Sequence, residues 1–388
     1  MSRKRNTAWA VLAGLLSAFV LTACDSSNSR LPPVTGGGGG QTTGGPTARS
    51  LPVPDRDLLG YAMLSVPLNA VVNGEVSGLG IAPNATDSLA AVTPTNDVLL
   101  VRQNVALQPA ETTLSAAGRS VASVGSQVFV ATGERGLTAA GGISLREETS
   151  PGVFTYSAAL NSTADVAVVT TNVLAAVAAV DSSATLPPTL YRFDPAQRIF
   201  VASVALGAVS PTAVVSWPAG SADVYVGGTS GSGGRVQLIR VRGSAIEVLA
   251  IPSQNTAAGD REQVTGFAAG QDAQGAEVLL IAVTTFSSSG APLDGRVLFY
   301  DGLAFVSVAA FSGDGPTAIA FTAENQLYIG MAQGRLLAFD PAQGFVAEPG
   351  FPTVSRVTSL LARDRGSLLV GCRTSAGALL VVRTRRSP

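Results

Sequence analysis

The chain alternates short apolar runs with polar or Gly/Pro turns and has no long helical period. From about residue 86 onward one pattern recurs: a short apolar strand, a polar turn, then a stronger apolar strand. The stronger runs are Val98–Val101, Val128–Val130, Val173–Val177, Val224–Val226, Val278–Ile281, Leu327–Ile329 and Leu368–Val370. They return about every 45 residues, a period that marks the blades of a β-propeller. Near-copies support the repeat. Pro211–Val215 and Pro316–Phe321 read as first strands, and the Gly-Arg starts at 234, 295 and 334 open third strands. Phe193–Gln197 and Phe339–Gln343 are identical. In each, Asp can bond its own backbone and Pro presets φ, which makes a β-turn into a fourth strand.

These runs predict an all-β propeller, most directly with seven blades; six and eight are the alternatives. The last unit ends after a third strand, Ala378–Arg383, while the apolar stretch Leu58–Val72 has no blade of its own. Part of that stretch is expected to supply the missing outer strand, because an unclosed ring leaves a bare edge. The first blade is the cramped one on this reading, with only 30 residues separating positions 97 and 127. The unit Tyr191–Gly228 resembles the YVTN-type propeller repeats of bacterial and archaeal surface proteins, through Asp194, Gly207, Pro211, Val214, Pro218 and Val224–Gly227. That resemblance covers about 38 residues and implies a superfamily, not an activity. Quinoprotein repeats carry a Trp in each blade, whereas Trp217 is the only tryptophan after the N-terminal segment, so no cofactor is expected.

That N-terminal segment has its own pattern. Arg3, Lys4 and Arg5 precede an apolar run, Ala8–Val20, which stops at Leu21-Thr22-Ala23-Cys24. A basic start, a short apolar centre and small residues at the end form an export signal. The run would cover roughly 20 Å as a helix, short of the roughly 30 Å hydrocarbon core. Leu-Thr-Ala-Cys resembles the lipobox of bacterial lipoproteins, which implies cleavage after residue 23, lipid on Cys24 and attachment to a membrane. A plain cleaved signal is the alternative. Asp25 resembles an enterobacterial inner-membrane retention signal, but sorting differs among bacteria, so inner and outer membranes both stay open. Residues 24–50 are rich in Gly, Ser, Thr and Pro and read as a disordered tether with a taut reach of about 90 Å. Residues 51–388 form the propeller domain.

Composition narrows the chemistry. All 26 acidic residues follow Ala23, as do all but three of the 25 basic ones. The mildly acidic remainder gives no basic surface for nucleic acid. Histidine is absent, which removes Ser-His-Asp and Cys-His catalysis and imidazole metal sites. Cys372 lies in a strand and reads as a buried structural thiol. The Gly228–Gly234 run lacks the Lys-Ser/Thr ending of a phosphate loop, and Glu147 and Glu148 point to opposite faces of a strand. No EF-hand spacing occurs, and no metal is expected; Asp314-Gly315 is the turn considered for a stray calcium ion.

The links 133–142, 181–188, 227–234 and 284–294 read as long loops on one face, joined there by Pro252–Glu262. Arg119, Gln263 and Arg356 are placed at equivalent positions before first strands, rimming that mouth, with Glu134, Arg135, Asp181 and Asp294 around them. The expected role is a lipid-anchored binding or scaffold module for an envelope protein or surface glycan. The alternative is an envelope carbohydrate-active enzyme using mouth carboxylates about 5–9 Å apart.

Overall fold

The computed structural model describes residues 61–82, 87–107, 118–132, 142–160, 168–177 and 188–385, apart from short interruptions, together with residues 51, 52 and 54. Among these residues are 28 strands and no helix. Tyr61–Pro67 (β1) comes first in the chain and pairs last. The first group is then Glu75–Ile81 (β2), Ser88–Thr93 (β3), Asp97–Arg102 (β4) and Val105–Leu107 (β5). The second is Gly118–Val124 (β6), Gln127–Thr132 (β7), Gly142–Ser150 (β8) and Val153–Leu160 (β9). A third follows with Val168–Val169 (β10), Leu174–Val177 (β11), Thr189–Asp194 (β12) and Ile199–Ala205 (β13). The fourth contains Val209–Ser216 (β14), Val224–Ser230 (β15), Val236–Arg242 (β16) and Ala245–Leu249 (β17). Arg261–Gln271 (β18), Glu277–Phe286 (β19), Pro292–Tyr300 (β20) and Phe305–Ser312 (β21) make the fifth. Next come Pro316–Phe321 (β22), Leu327–Met331 (β23), Leu336–Asp340 (β24) and Gly344–Ala347 (β25). Arg356–Ala362 (β26), Leu368–Thr374 (β27) and Gly377–Arg385 (β28) end the chain.

Each group is an antiparallel sheet in sequence order. The last has only three strands of its own, and β1 completes it by pairing with β28 from Tyr61↔Arg385 to Pro67↔Leu379. The chain's early strand therefore closes the ring, as its orphan apolar stretch predicts. A single further pair, Glu75↔Arg373, joins this sheet to the first group. First strands touch their neighbours in a cycle: β2, β6, β10, β14, β18, β22, β26 and back to β2. This is a β-propeller.

The core lies between sheets, because each sheet has two apolar faces to cover. Tyr225, Leu238, Val264 and Leu279 fill the space between groups four and five. Tyr328, Val357, Leu368 and Cys372 do so between the sixth group and the last. Second strands are buried on both faces, as in β19 and β23, and so read as unbroken apolar runs. Close approach also demands glycine. A Cβ at Gly227 would lie 2.7 Å from Val264, and one at Gly330 would strike Val357.

Two expectations are corrected. Val98–Val101 lies in β4, a third strand; the second strand of that group is Ser88–Thr93. Second strands thus start at Ser88 and Gln127, which relieves the cramped first blade. Residues 284–294 and 227–230 are mostly strand: β19 and β20 run on to Phe286 and back from Pro292, and β15 reaches Ser230. Hydrogen-bonded pairing persists there although Thr, Ser and Pro look loop-like in sequence. The links at 133–141 and 181–187 lie outside the described residues.

Candidate functional site at the mouth

Every fully described first strand carries a bulge near its start. The register shifts at Val76/Gly78, Gly118/Ser120, Pro211/Ala213, Val264/Gly266, Pro316/Ala318 and Val357/Ser359. A bulge leaves one residue unpaired and re-aims its side chain. Four of these residues are threonines that bond to the next sheet. Thr212 donates to the Val264 carbonyl at 2.6 Å, Thr265 to Pro316 at 2.7 Å, Thr317 to Val357 at 2.6 Å and Thr358 to Val76 at 2.6 Å. In every case the acceptor is the residue just before the neighbour's bulge. A continuous series of side-chain bonds thus ties groups four, five, six, seven and one at the end where the first strands begin.

This frame relocates the mouth residues. Gln263 and Arg356 each precede the last residue before the bulge and are equivalent. Arg119 is the bulge residue of β6 itself, equivalent to the four threonines and offset by two from Gln263. The repeat pattern does not show this, because a bulge inserts a residue without changing the apolar pattern. Gln263 is 3% exposed, and its Nε2 has no acceptor among the described residues. The Nε of half-buried Arg356 likewise has none. Asp294 is half-buried in β20, and its Oδ1 accepts the Gly313 N–H at 3.1 Å. Glu134, Arg135, Asp181 and Cys24 lie outside the described residues.

Beside Gln263 is a buried charge pair that sequence reading did not single out. Glu262 and Arg296 meet at 2.6 Å, with side chains 0% and 5% exposed. Ser253 Oγ donates to Glu262 Oε2 at 2.6 Å, and Arg296 Nη2 donates to the Pro252 carbonyl at 2.7 Å. The link between groups four and five is therefore fastened to β20. Arg296 Nε adds another buried donor without an acceptor. Asp314, the turn considered for calcium, holds Arg335 at 3.0 Å and accepts the N–H groups of Gly315 and Gln333. Its carboxylate is engaged by the protein's own groups. Buried polar groups normally have partners, so the three donors without acceptors at Gln263, Arg296 and Arg356 mark the mouth as one place where that rule is broken.

No family model and no curated protein sequence matches the chain. Solved structures do. The extracellular domain described as that of a hybrid two component system from B. thetaiotaomicron has a TM-score of 0.60 at 12% identity over 85% of this chain. The match spans 40% of that chain. YCF48 bound to D1 peptide has a TM-score of 0.54 at 13% identity, covering 87% of this chain and 100% of that one. The WD40 β-propeller domain of Doa1 has a TM-score of 0.50 at 9% identity, covering 84% and 98%. At such identities the likeness establishes the propeller fold and nothing finer.

Proposed function

We propose that this chain is a seven-blade propeller, lipid-anchored through Cys24 at the cell envelope, whose mouth binds a partner protein or glycan through its acceptor groups. The observation that carries this reading is the equivalence of Gln263 and Arg356, each with a buried donor that lacks an acceptor. A ligand carboxylate, carbonyl or hydroxyl would satisfy both, and the planar fork of Arg favours carboxylate. The absence of histidine and the clamping of Glu262 and Asp314 by arginines favour binding over hydrolysis. That YCF48 is seen with a bound peptide, and another similar fold is an extracellular domain, is in keeping with an exported binding module.

Two measurements test the proposal. Cys24→Ala should abolish metabolic incorporation of labelled palmitate and release the protein from the membrane fraction; retained label would remove the anchor. Gln263→Ala with Arg356→Ala should weaken capture of partners from native envelopes by at least tenfold. Equal recovery would remove the mouth assignment while leaving the fold untouched.

A further inference from the structure

Two arginines stand side by side where the last sheet meets the mouth. Arg356 of β26 is the direct cross-strand partner of Arg373 in β27. Residues paired in this way point to one face of the sheet, with Cβ atoms about 5 Å apart. At the same level relative to the bulge, three other groups pair Gln263↔Thr284, Ser210↔Thr229 and Glu75↔Thr93. A threonine thus stands in each where Arg373 stands here, so a small uncharged side chain satisfies the fold. Two like charges directly opposite are destabilising, and nothing in the repeat calls for them.

Neither charge is answered by the protein. The Arg356 guanidinium has no acceptor or ion-pair partner among the described residues, and that of Arg373 donates only to Oδ1 of exposed Asn73, at 2.8 Å. Glu75 lies opposite Arg373 across the closing seam and is half-buried, yet it forms an ion pair with neither arginine. Arg335 is alongside, since Gly334 packs against Val354 and Ser355, but Asp314 already holds it at 3.0 Å. Two cations thus face one carboxylate, and the surplus is positive. Both arginines are half-buried, so salt screens them less than it would on open surface.

A ligand oxyanion removes the repulsion and fills the open donors. A carboxylate is planar, and its two oxygens match a single fork. A phosphate monoester is tetrahedral, with three acceptor oxygens and a charge of about −1.5 to −2, so it can span two forks. Taking the mouth as the binding face, we propose that Arg356 and Arg373 together bind a phosphate monoester carried by the ligand. Glu75 opposes that anion and limits its affinity.

Titration calorimetry of the full chain tests this, with glucose 1-phosphate as the sugar probe and dihexanoyl phosphatidic acid as the lipid one. At least one should saturate, and the tighter of the two assigns the phosphate to a glycan or to a lipid headgroup. Arg373→Gln and Arg356→Gln should each weaken that probe by about tenfold or more. Glu75→Gln should tighten it by about threefold, since it removes the opposing charge. Arg356→Gln should not lower the urea midpoint, because it relieves a like-charge contact. A midpoint that falls gives the arginine a structural role and overturns the proposal. No saturation by either phosphate probe, undiminished binding in Arg373→Gln, or weaker binding in Glu75→Gln overturns it as well. Glucuronate binding as tightly as the phosphate probe overturns it in favour of a carboxylate ligand. That result leaves the mouth reading standing, which falls only if envelope capture survives Gln263→Ala with Arg356→Ala.

Discussion

Removing the carboxylate of Glu262 is the sharpest test of how the mouth is held. Its side chain is fully buried and meets Arg296, itself 5% exposed. Glu262→Ala strands a buried guanidinium whose Nε already lacks an acceptor. Breaking a buried pair from one side costs about 3–5 kcal/mol, because the remaining charge keeps its desolvation penalty. Replacing both partners, as Glu262→Leu with Arg296→Met, removes that penalty and should recover most of the loss. The exposed pair Arg240–Glu247, at 3.6 Å with Glu247 60% exposed, is the internal control. Glu247→Ala should change stability by less than about 1 kcal/mol. Urea unfolding followed by far-UV circular dichroism reads all four chains. With a slope of about 3 kcal/mol/M, the upper end of the range for small proteins, the Glu262 variant should shift its midpoint by about 1–2 M. A shift as small as that of Glu247→Ala, or a double variant that loses as much stability as Glu262→Ala, would refute the reasoning.

Other outcomes follow from the same structure. A chain beginning at Val72 lacks β1 but keeps β2 whole, and it should lose its cooperative melt, since Val382 and Leu380 are then uncovered at an open edge; an unchanged melt removes the closure argument. Thr317→Val deletes one inter-sheet bond of nearly constant shape and should cost about 1 kcal/mol by urea melt, and Thr317→Ser should restore most of it. Burial pushes the Cys372 thiol up to about 12, so it should resist alkylating reagents at pH 8 until urea unfolds the chain. Burial likewise raises Tyr225 to about 12. In both cases the folded state holds the neutral form while the unfolded chain ionises. Their stabilising contribution is complete below the unfolded values and is lost as pH rises through roughly 9 to 12. The urea midpoint should fall across that window, and less steeply in Cys372→Ala.

The period of the propeller was legible because second strands are buried on both faces, so Val224–Val226 and Leu327–Ile329 stand out as solid apolar runs. The same rule misplaced Val98–Val101. That third strand is also continuously buried, and burial alone does not tell a second strand from a third. Turn chemistry was legible because it is local: Asp194 and Asp340 each accept the N–H groups two and three residues on. The closing strand was legible by elimination, as an apolar stretch with nowhere else to go. Illegible features join residues far apart. Glu262 and Arg296 lie 34 positions apart, and nothing in either neighbourhood marks them as partners. The offset of Arg119 was hidden for another reason. A bulge changes pairing by one residue while leaving composition untouched.

The threonine bonds explain why candidate chemistry gathers on one arc. They tie groups four to five, five to six, six to seven and seven to one. At the next position, Arg119 replaces threonine, and Ser77 bonds within its own sheet to Ala91. Gln263, Arg296 and Arg356 lie on the tied arc at its mouth. A donor without an acceptor can stay buried only where its surroundings are fixed too firmly to expel it, since a mobile sheet would turn it to water. The stiff arc therefore permits the buried donors on which the mouth reading rests. If Thr265 and Thr317 are both replaced by Val, hydrogen exchange should accelerate on both sides of the β18–β22 seam. Ligand affinity at the mouth should fall with it, whereas equivalent changes at Ser77 should leave it unaltered. Faster exchange without any loss of affinity would separate rigidity from recognition and break this link.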